Sequence, residues 1–193
     1  MHGSADTGTP AAAHDEHRLS GVLDEALEEA DLRGAKVLAV GREAAAYAPR
    51  LGGRGADVTA GGDGAAPQDR GALPFADSAF DLVLSADVVE ASADPERAVR
   101  ELVRVLRPGG TIVVVWPRGP WRAARRILGA LPSRPAGRVP TRSGVAELRR
   151  WLALRGVEPV RERGVGVLTS GRSSARLPLH VLVVGRKRDL APS

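Results

Sequence analysis

Apolar positions recur along the chain in two rhythms that alternate. Leu23, Ala26, Leu27 and Ala30 fall at helical spacing, with Asp24, Glu25, Glu28 and Glu29 on the other face, and Gly34 stops the segment. Lys36 to Val40 (KVLAV) is a short buried-strand pattern ending at Gly41. Glu43 to Leu51 reads as a helix, with Pro49 a flaw near its end. Ala56 to Ala60 predicts a second strand, followed by the turn Gly61-Gly62-Asp63-Gly64, and Phe80 to Ser85 predicts a third. Asp94 to Leu106 carries the best helical pattern. Asp94 stands at the cap, Pro95 at the first turn, and Val99, Leu102, Val103 and Leu106 form the apolar stripe. Pro108-Gly109-Gly110 is read as its end and Thr111 to Trp116 as the next strand. Gly144 to Arg155 predicts a helix closed by Gly156, and two strands, roughly 158–168 and 179–185, complete the pattern.

Strands alternating with helices predict an α/β doubly wound sheet. Thr111 to Trp116 is apolar without alternation, which marks a parallel strand covered on both faces. Ligands of such sheets bind outside the carboxyl ends of the strands, where the strand order reverses. The turns after Val40, Ala60, Ser85 and Trp116 form that edge.

Composition changes this picture in a few places. The 193 residues suit one domain, expected over 18–188, with a disordered tail at 1–17 and a short tail at 189–193. There is no cysteine, which excludes disulfides, zinc-thiolate sites, iron–sulfur clusters and a thiol nucleophile. No metal site is expected. No apolar run is long enough to span a bilayer, and the first residues lack a signal-peptide core, so a cytoplasmic protein is the expectation. The net charge of +5 comes almost wholly from arginine, since Lys36 and Lys187 are the lysines. From Leu102 to Ala146 there are nine arginines and no acid. Within that stretch, 118–142 is Arg- and Pro-rich, and Trp121, Ala124, Leu128 and Leu131 could line a short helix. With an aromatic fraction of 3%, the chain has few stacking platforms, which argues against a single-stranded nucleic acid as partner.

Leu73 to Val115, LPFADSAFDLVLSADVVEASADPERAVRELVRVLRPGGTIVVV, goes beyond fold class. It closely resembles the middle of class I S-adenosylmethionine-dependent methyltransferases of the type 11 group. The Leu-Pro-Phe turn, the Phe-Asp strand, the Pro-started helix and the Leu-Arg-Pro-Gly-Gly turn come in the family's order. The resemblance covers about residues 20 to 187. It implies a Rossmann-like, mostly parallel sheet with an antiparallel C-terminal hairpin. The helix that normally follows the second strand is expected to be missing, because about ten residues separate Asp63 from Leu73. It also implies S-adenosylmethionine as cofactor, with Gly41, Glu43, Asp63, Asp69, Arg70 and Ser85 around it.

The sequence departs from the family at the cofactor turn. The family's Val-Leu-Asp-Val-Gly-x-Gly-x-Gly stands here as VLAVGREAA, with Ala39 for the acid and Glu43 and Ala45 for the later glycines. Glu43 brings a carboxylate to where the cofactor's methionine end would pass, although it also suits a helix start. Asp63 stands one residue late for a ribose acid, and Asp69 keeps the adenine-side position. Asp81 reads as a structural strand-start acid. Asp87 and Glu90 are weak candidates for orienting an acceptor, and His180 enters the last strand. No catalytic base is singled out, since methyl transfer needs mainly proximity and alignment. The first reading is methyl transfer to a small-molecule acceptor, with 118–142 as a substrate-side insertion suited to an acidic molecule. The alternative is a pseudo-methyltransferase that has lost the cofactor and serves as a binding or assembly partner. An RNA-directed role for 118–142 and a dinucleotide dehydrogenase are weaker readings. The oligomeric state is open.

Overall fold

The computed structural model describes residues 20–21, 23–28, 30–61, 72–86, 88–117, 144–169 and 176–189. A six-stranded sheet runs through them in the order β2-β1-β3-β4-β6-β5. The strands are β1 (Lys36–Val40), β2 (Asp57–Gly61), β3 (Phe80–Ala86), β4 (Leu106–Pro117), β5 (Val157–Thr169) and β6 (Arg176–Lys187). The helices are α1 (Arg42–Gly53), α2 (Val88–Ala91), α3 (Pro95–Val105) and α4 (Val145–Ala153). β1 pairs in parallel with β2 and β3, and β3 with β4; β6 then pairs antiparallel with both β4 and β5. This is the doubly wound sheet that the pattern predicts, with the antiparallel C-terminal hairpin that the resemblance implies. Residues 20–21 and 23–26 are helical, as their spacing suggests.

The sheet divides the apolar residues into two layers. Leu38, Val40, Val83, Ile112, Val114 and Val183 face one side, where the apolar stripe of α3 and Leu148 and Leu152 of α4 cover them. Val37, Ala39, Leu82, Leu84, Val113 and Leu182 face the other, beneath Leu23, Leu27 and the α1 residues Ala44, Tyr47 and Leu51. The Tyr47 hydroxyl donates to Asp24 at 2.5 Å, and Arg50 pairs with the same carboxylate, so helical residues 23–26 are tied to α1.

Asp94 caps α3 as expected, accepting a hydrogen bond from the Arg97 backbone N–H at 2.9 Å, with Pro95 just inside the helix. Replacing Asp94 with alanine should cost about 1 kcal/mol. A urea melt reads this as a lower midpoint at unchanged slope. At the far end of α3, Lys187 Nζ donates to the carbonyls of Val103 and Leu106, at 2.9 and 2.6 Å. A cation suits the negative end of a helix, while burial pulls the lysine's pKa below its usual value.

One expectation is corrected here. Pairing of β4 begins at Leu106, directly after α3, and not at Thr111. Phe80 lies opposite Leu106 while Leu82 lies opposite Thr111, so the Arg-Pro-Gly-Gly residues bulge out within the strand. Gly110 makes this possible: a Cβ there would stand 2.9 Å from the Asp81 carbonyl oxygen. Between β2 and β3, residues 72–79 form turns and no helix. The rest of that connection, 62–71, lies outside the described residues, as do the tail at 1–17 and the stretch 118–142.

Candidate functional site

β2 lies to one side of β1 and β3 to the other, so the strand order reverses at β1. Its carboxyl end is therefore where a doubly wound sheet opens a crevice. Gly41 sits at that point, between Val40 of β1 and the first residue of α1. Its N–H donates to the Gly61 carbonyl at the end of β2, at 3.1 Å, and its carbonyl accepts the first helical bond from Ala45, at 2.8 Å. Its φ of 99° belongs to the region that favours glycine. A Cβ on it would stand 1.9 Å from the Ala86 carbonyl oxygen and 2.9 Å from Val88 Cγ2. Three strand ends thus converge on a residue that can have no side chain. The space that glycine leaves is taken by the end of β3, so the packing of this chain already requires it.

Glu43 lies in the first turn of α1, half-buried, and Gly41 offers no side-chain cap there. A carboxylate in that turn is favoured by the helix dipole. It also puts a negative charge at the end of the helix to which an anionic group would otherwise be drawn. Ala39 is fully buried, opposite Ala60 on one side and Leu84 on the other, within the second apolar layer. Where the family pattern has an acid, this chain therefore has a dry contact.

Ser85 is brought close to this point and is buried. It lies opposite Val40 and Val114 in the ladder and is 1% exposed. Its Oγ has no hydrogen-bond partner among the described residues. A buried hydroxyl left so costs about 1–3 kcal/mol. It is a described side chain at this edge with spare hydrogen-bonding capacity. Gly41, Glu43 and Ser85 are thus gathered at one end of β1 and β3. Asp63, Asp69, Arg70 and Asp87 lie outside the described residues, and so do the side chains of Glu90 and His180.

A clamp that the sequence did not announce holds the neighbouring turn. Arg104 of α3 donates to the carbonyls of Leu73 and Phe75, at 3.0 and 2.8 Å, and to Asp77 at 2.6 Å. It also donates to Glu101 Oε2 at 2.9 and 3.1 Å. The same oxygen accepts from the Leu73 N–H at 3.1 Å. Hydrogen bonding to Glu101, then to Asp77, raises the guanidinium's pKa further. The Leu-Pro-Phe turn, which follows the segment bearing Asp69 and Arg70, is fastened to α3 this way. The one available signal was a Glu and an Arg three residues apart on an apolar helix.

Asp81 is structural, as expected. It accepts from the Lys36 N–H at 2.7 Å and pairs with Arg107 at 2.7 Å, joining the starts of β1, β3 and β4. Among the described residues no group of three or more His, Asp or Glu could hold a metal ion. No helix among them is long and apolar enough to cross a membrane.

Residues 36–114 match a family model described as "Methyltransferase domain". An uncharacterized protein of Mycobacterium tuberculosis is 59% identical over 44 residues, which is 23% of this chain and 16% of that protein. Ajmaline N-methyltransferase of Rauvolfia serpentina is 46% identical over 43 residues, 22% of this chain and 15% of that enzyme. The matched stretch thus spans less than a fifth of either relative's length. Among solved structures, the complex between the Haloferax volcanii Trm112 methyltransferase activator and a methyltransferase contains a chain that superposes with a TM-score of 0.62. That likeness holds at 16% identity, over 92% of this chain and 93% of the other.

Proposed function

We propose that this chain, which carries a methyltransferase domain over residues 36–114 on a class I methyltransferase fold, binds S-adenosylmethionine at the carboxyl edge of β1 and β3 and methylates a small-molecule acceptor. The observation that carries this reading is the meeting of Gly41, the start of α1 without a side-chain cap among the described residues, and the Ser85 hydroxyl, unpartnered among those residues, at the point where strand order reverses. The cofactor, when bound, supplies an activated methyl group on a sulfonium. The chain's part is to hold donor and acceptor in line and keep water out. Gly41 sets the course of the backbone past the cofactor, and Ser85 donates a hydrogen bond at the floor of the crevice. Asp63 is proposed on the ribose side, and Asp69 with Arg70 on the adenine side. The setting is proposed to be the cytoplasm, and 118–142 is proposed to meet the acceptor, with its arginines favouring an acidic one.

Isothermal calorimetry tests this with S-adenosylmethionine and S-adenosylhomocysteine. Saturable binding at micromolar to submillimolar ligand is the expected result. No heat from either ligand at millimolar concentration would remove the proposal.

Two observations favour a second reading, in which the fold has lost the cofactor and serves as a binding partner. Ala39 is sealed in an apolar contact, and Glu43 occupies the first turn of α1. One structural neighbour was solved together with a methyltransferase activator, so a protein partner is a reasonable role for such a fold. The paired change Glu43→Gly with Ala45→Gly separates the readings. If Glu43 is a local obstacle in a working site, the pair gains roughly tenfold in cofactor affinity, about 1.4 kcal/mol. A flat trace from both the parent chain and the variant means that the damage to the cofactor site reaches beyond these two positions, as the second reading expects.

A further inference from the structure

α1 packs on the sheet through Ala44, Tyr47 and Leu51, all buried. At roughly 100° per residue, Glu43 stands on the flank of that stripe, and it is half-buried there. Helix side chains lean toward the helix N-terminus. The N-terminus of α1 lies at the carboxyl edge of β1, so the Glu43 carboxylate leans toward the crevice and not down the helix.

The charges around it leave the sign of this corner in little doubt. Arg42, one residue earlier, is exposed. It is turned roughly 200° from Ala44, which puts it on the solvent side of α1. Ala39, near the end of β1, is fully buried in the second apolar layer. Among the described residues, the charge that the start of α1 turns to the crevice is therefore negative. A bare helix N-terminus draws the carboxylate of a ligand. Here the chain supplies that negative charge itself, in the first turn. A ligand carboxylate arriving there meets a like charge and a ligand ammonium meets an opposite one, and partial burial strengthens both effects. Ser85 is an independent sign of a ligand at this edge. It lies level with Val40 in the ladder, is 1% exposed, and its Oγ is unpartnered among the described residues.

S-adenosylmethionine ends in an ammonium and a carboxylate borne on one carbon, so Glu43 attracts one and repels the other. We propose that Glu43 makes this site select adenosyl sulfonium compounds whose side chain ends in an amine without a carboxylate. The inference rests on the reading that an adenosyl sulfonium binds at this edge, and it narrows the chemistry of that ligand. Glu43 acts as a specificity residue. Its carboxylate pairs with the ligand's ammonium and turns away the ligand's carboxylate.

Calorimetry of the full chain with S-adenosylmethionine and with decarboxylated S-adenosylmethionine tests this, since the two differ by that carboxylate alone. The decarboxylated ligand is expected to bind on the order of tenfold or more tighter. Glu43→Gln should bring the two close to parity, by weakening the decarboxylated ligand and strengthening the other. Circular dichroism checks that the variant folds, and the parent chain decides the order of the two ligands without it. Equal binding, or tighter binding of S-adenosylmethionine, overturns the inference and leaves the cofactor reading standing. A preference that survives in Glu43→Gln overturns it as well, because another group would then set the order. Silence from both ligands at millimolar concentration is a different result: it removes the cofactor reading, and the inference falls with it.

Discussion

Replacing Gly41 with alanine is expected to destabilise the fold by about 2 to 6 kcal/mol. Two costs add. The backbone sits at a φ of 99°, where an L side chain is strained by about 1–3 kcal/mol. The new Cβ would also stand 1.9 Å from the Ala86 carbonyl oxygen, so the end of β3 must move away from the end of β1. Forcing a carbon into a packed site typically costs a further 1–3 kcal/mol. Urea unfolding measures the sum, and an effect under about 0.5 kcal/mol would show that the packing is not what demands glycine. The experiment also separates two roles of the residue. A glycine kept only for the passage of a ligand would lose binding and retain stability, whereas this one should lose stability with no ligand present.

The second large effect is expected at Arg104. Its side chain is about a quarter exposed and its partner Glu101 about a tenth. Arg104→Ala strips Glu101 of its cation and frees the carbonyls of Leu73 and Phe75. Breaking a buried pair from one side costs about 3–5 kcal/mol, because the remaining charge stays buried alone. Adding Glu101→Gln to that variant should return part of the loss, since it removes the stranded charge. A double-mutant cycle by urea melts checks this. Equal losses in the single and the double variant would mean that Glu101 was never held by Arg104. Arg104→Lys should recover little, because an ammonium is a point charge and cannot fork between a carboxylate and several carbonyls.

How much of this was legible beforehand follows the range of the interactions. β1, β3 and α3 could be read from local pattern, because Val37 to Val40, Leu82 to Leu84 and the Asp94-Pro95 start each signal their state within a few residues. The bulge in β4 was not, because Arg-Pro-Gly-Gly looks like a plain turn until Phe80 and Asp81 of β3 are placed beside it. The Arg104 clamp was hidden for a similar reason: its partners in the turn are mostly carbonyls about 30 residues away, and carbonyls have no sequence signature. Gly41 was legible as a glycine at a turn. The reason for it, an oxygen of Ala86, was not. At the candidate site, the sequence placed Ser85 beside the cofactor position, and the ladder sets it between Val40 and Val114, on the face it shares with them. Alternation along a strand fixes a side chain's face only once the partner strands are known.

The position of β6 sets the order in which the chain can be finished. This strand is late in the sequence, yet it lies between β4 and β5 and supplies Val181, Leu182, Val183 and Val184 to the two buried layers. Synthesis runs from the amino end, so β1, β3 and β4 exist first, with the outer side of β4 bare and apolar. Until the ribosome has passed Lys187, the nascent sheet has an open seam beside Ile112 to Val115. Completion of the sheet therefore waits for β6, and a ribosome stalled before it would display that seam to chaperones.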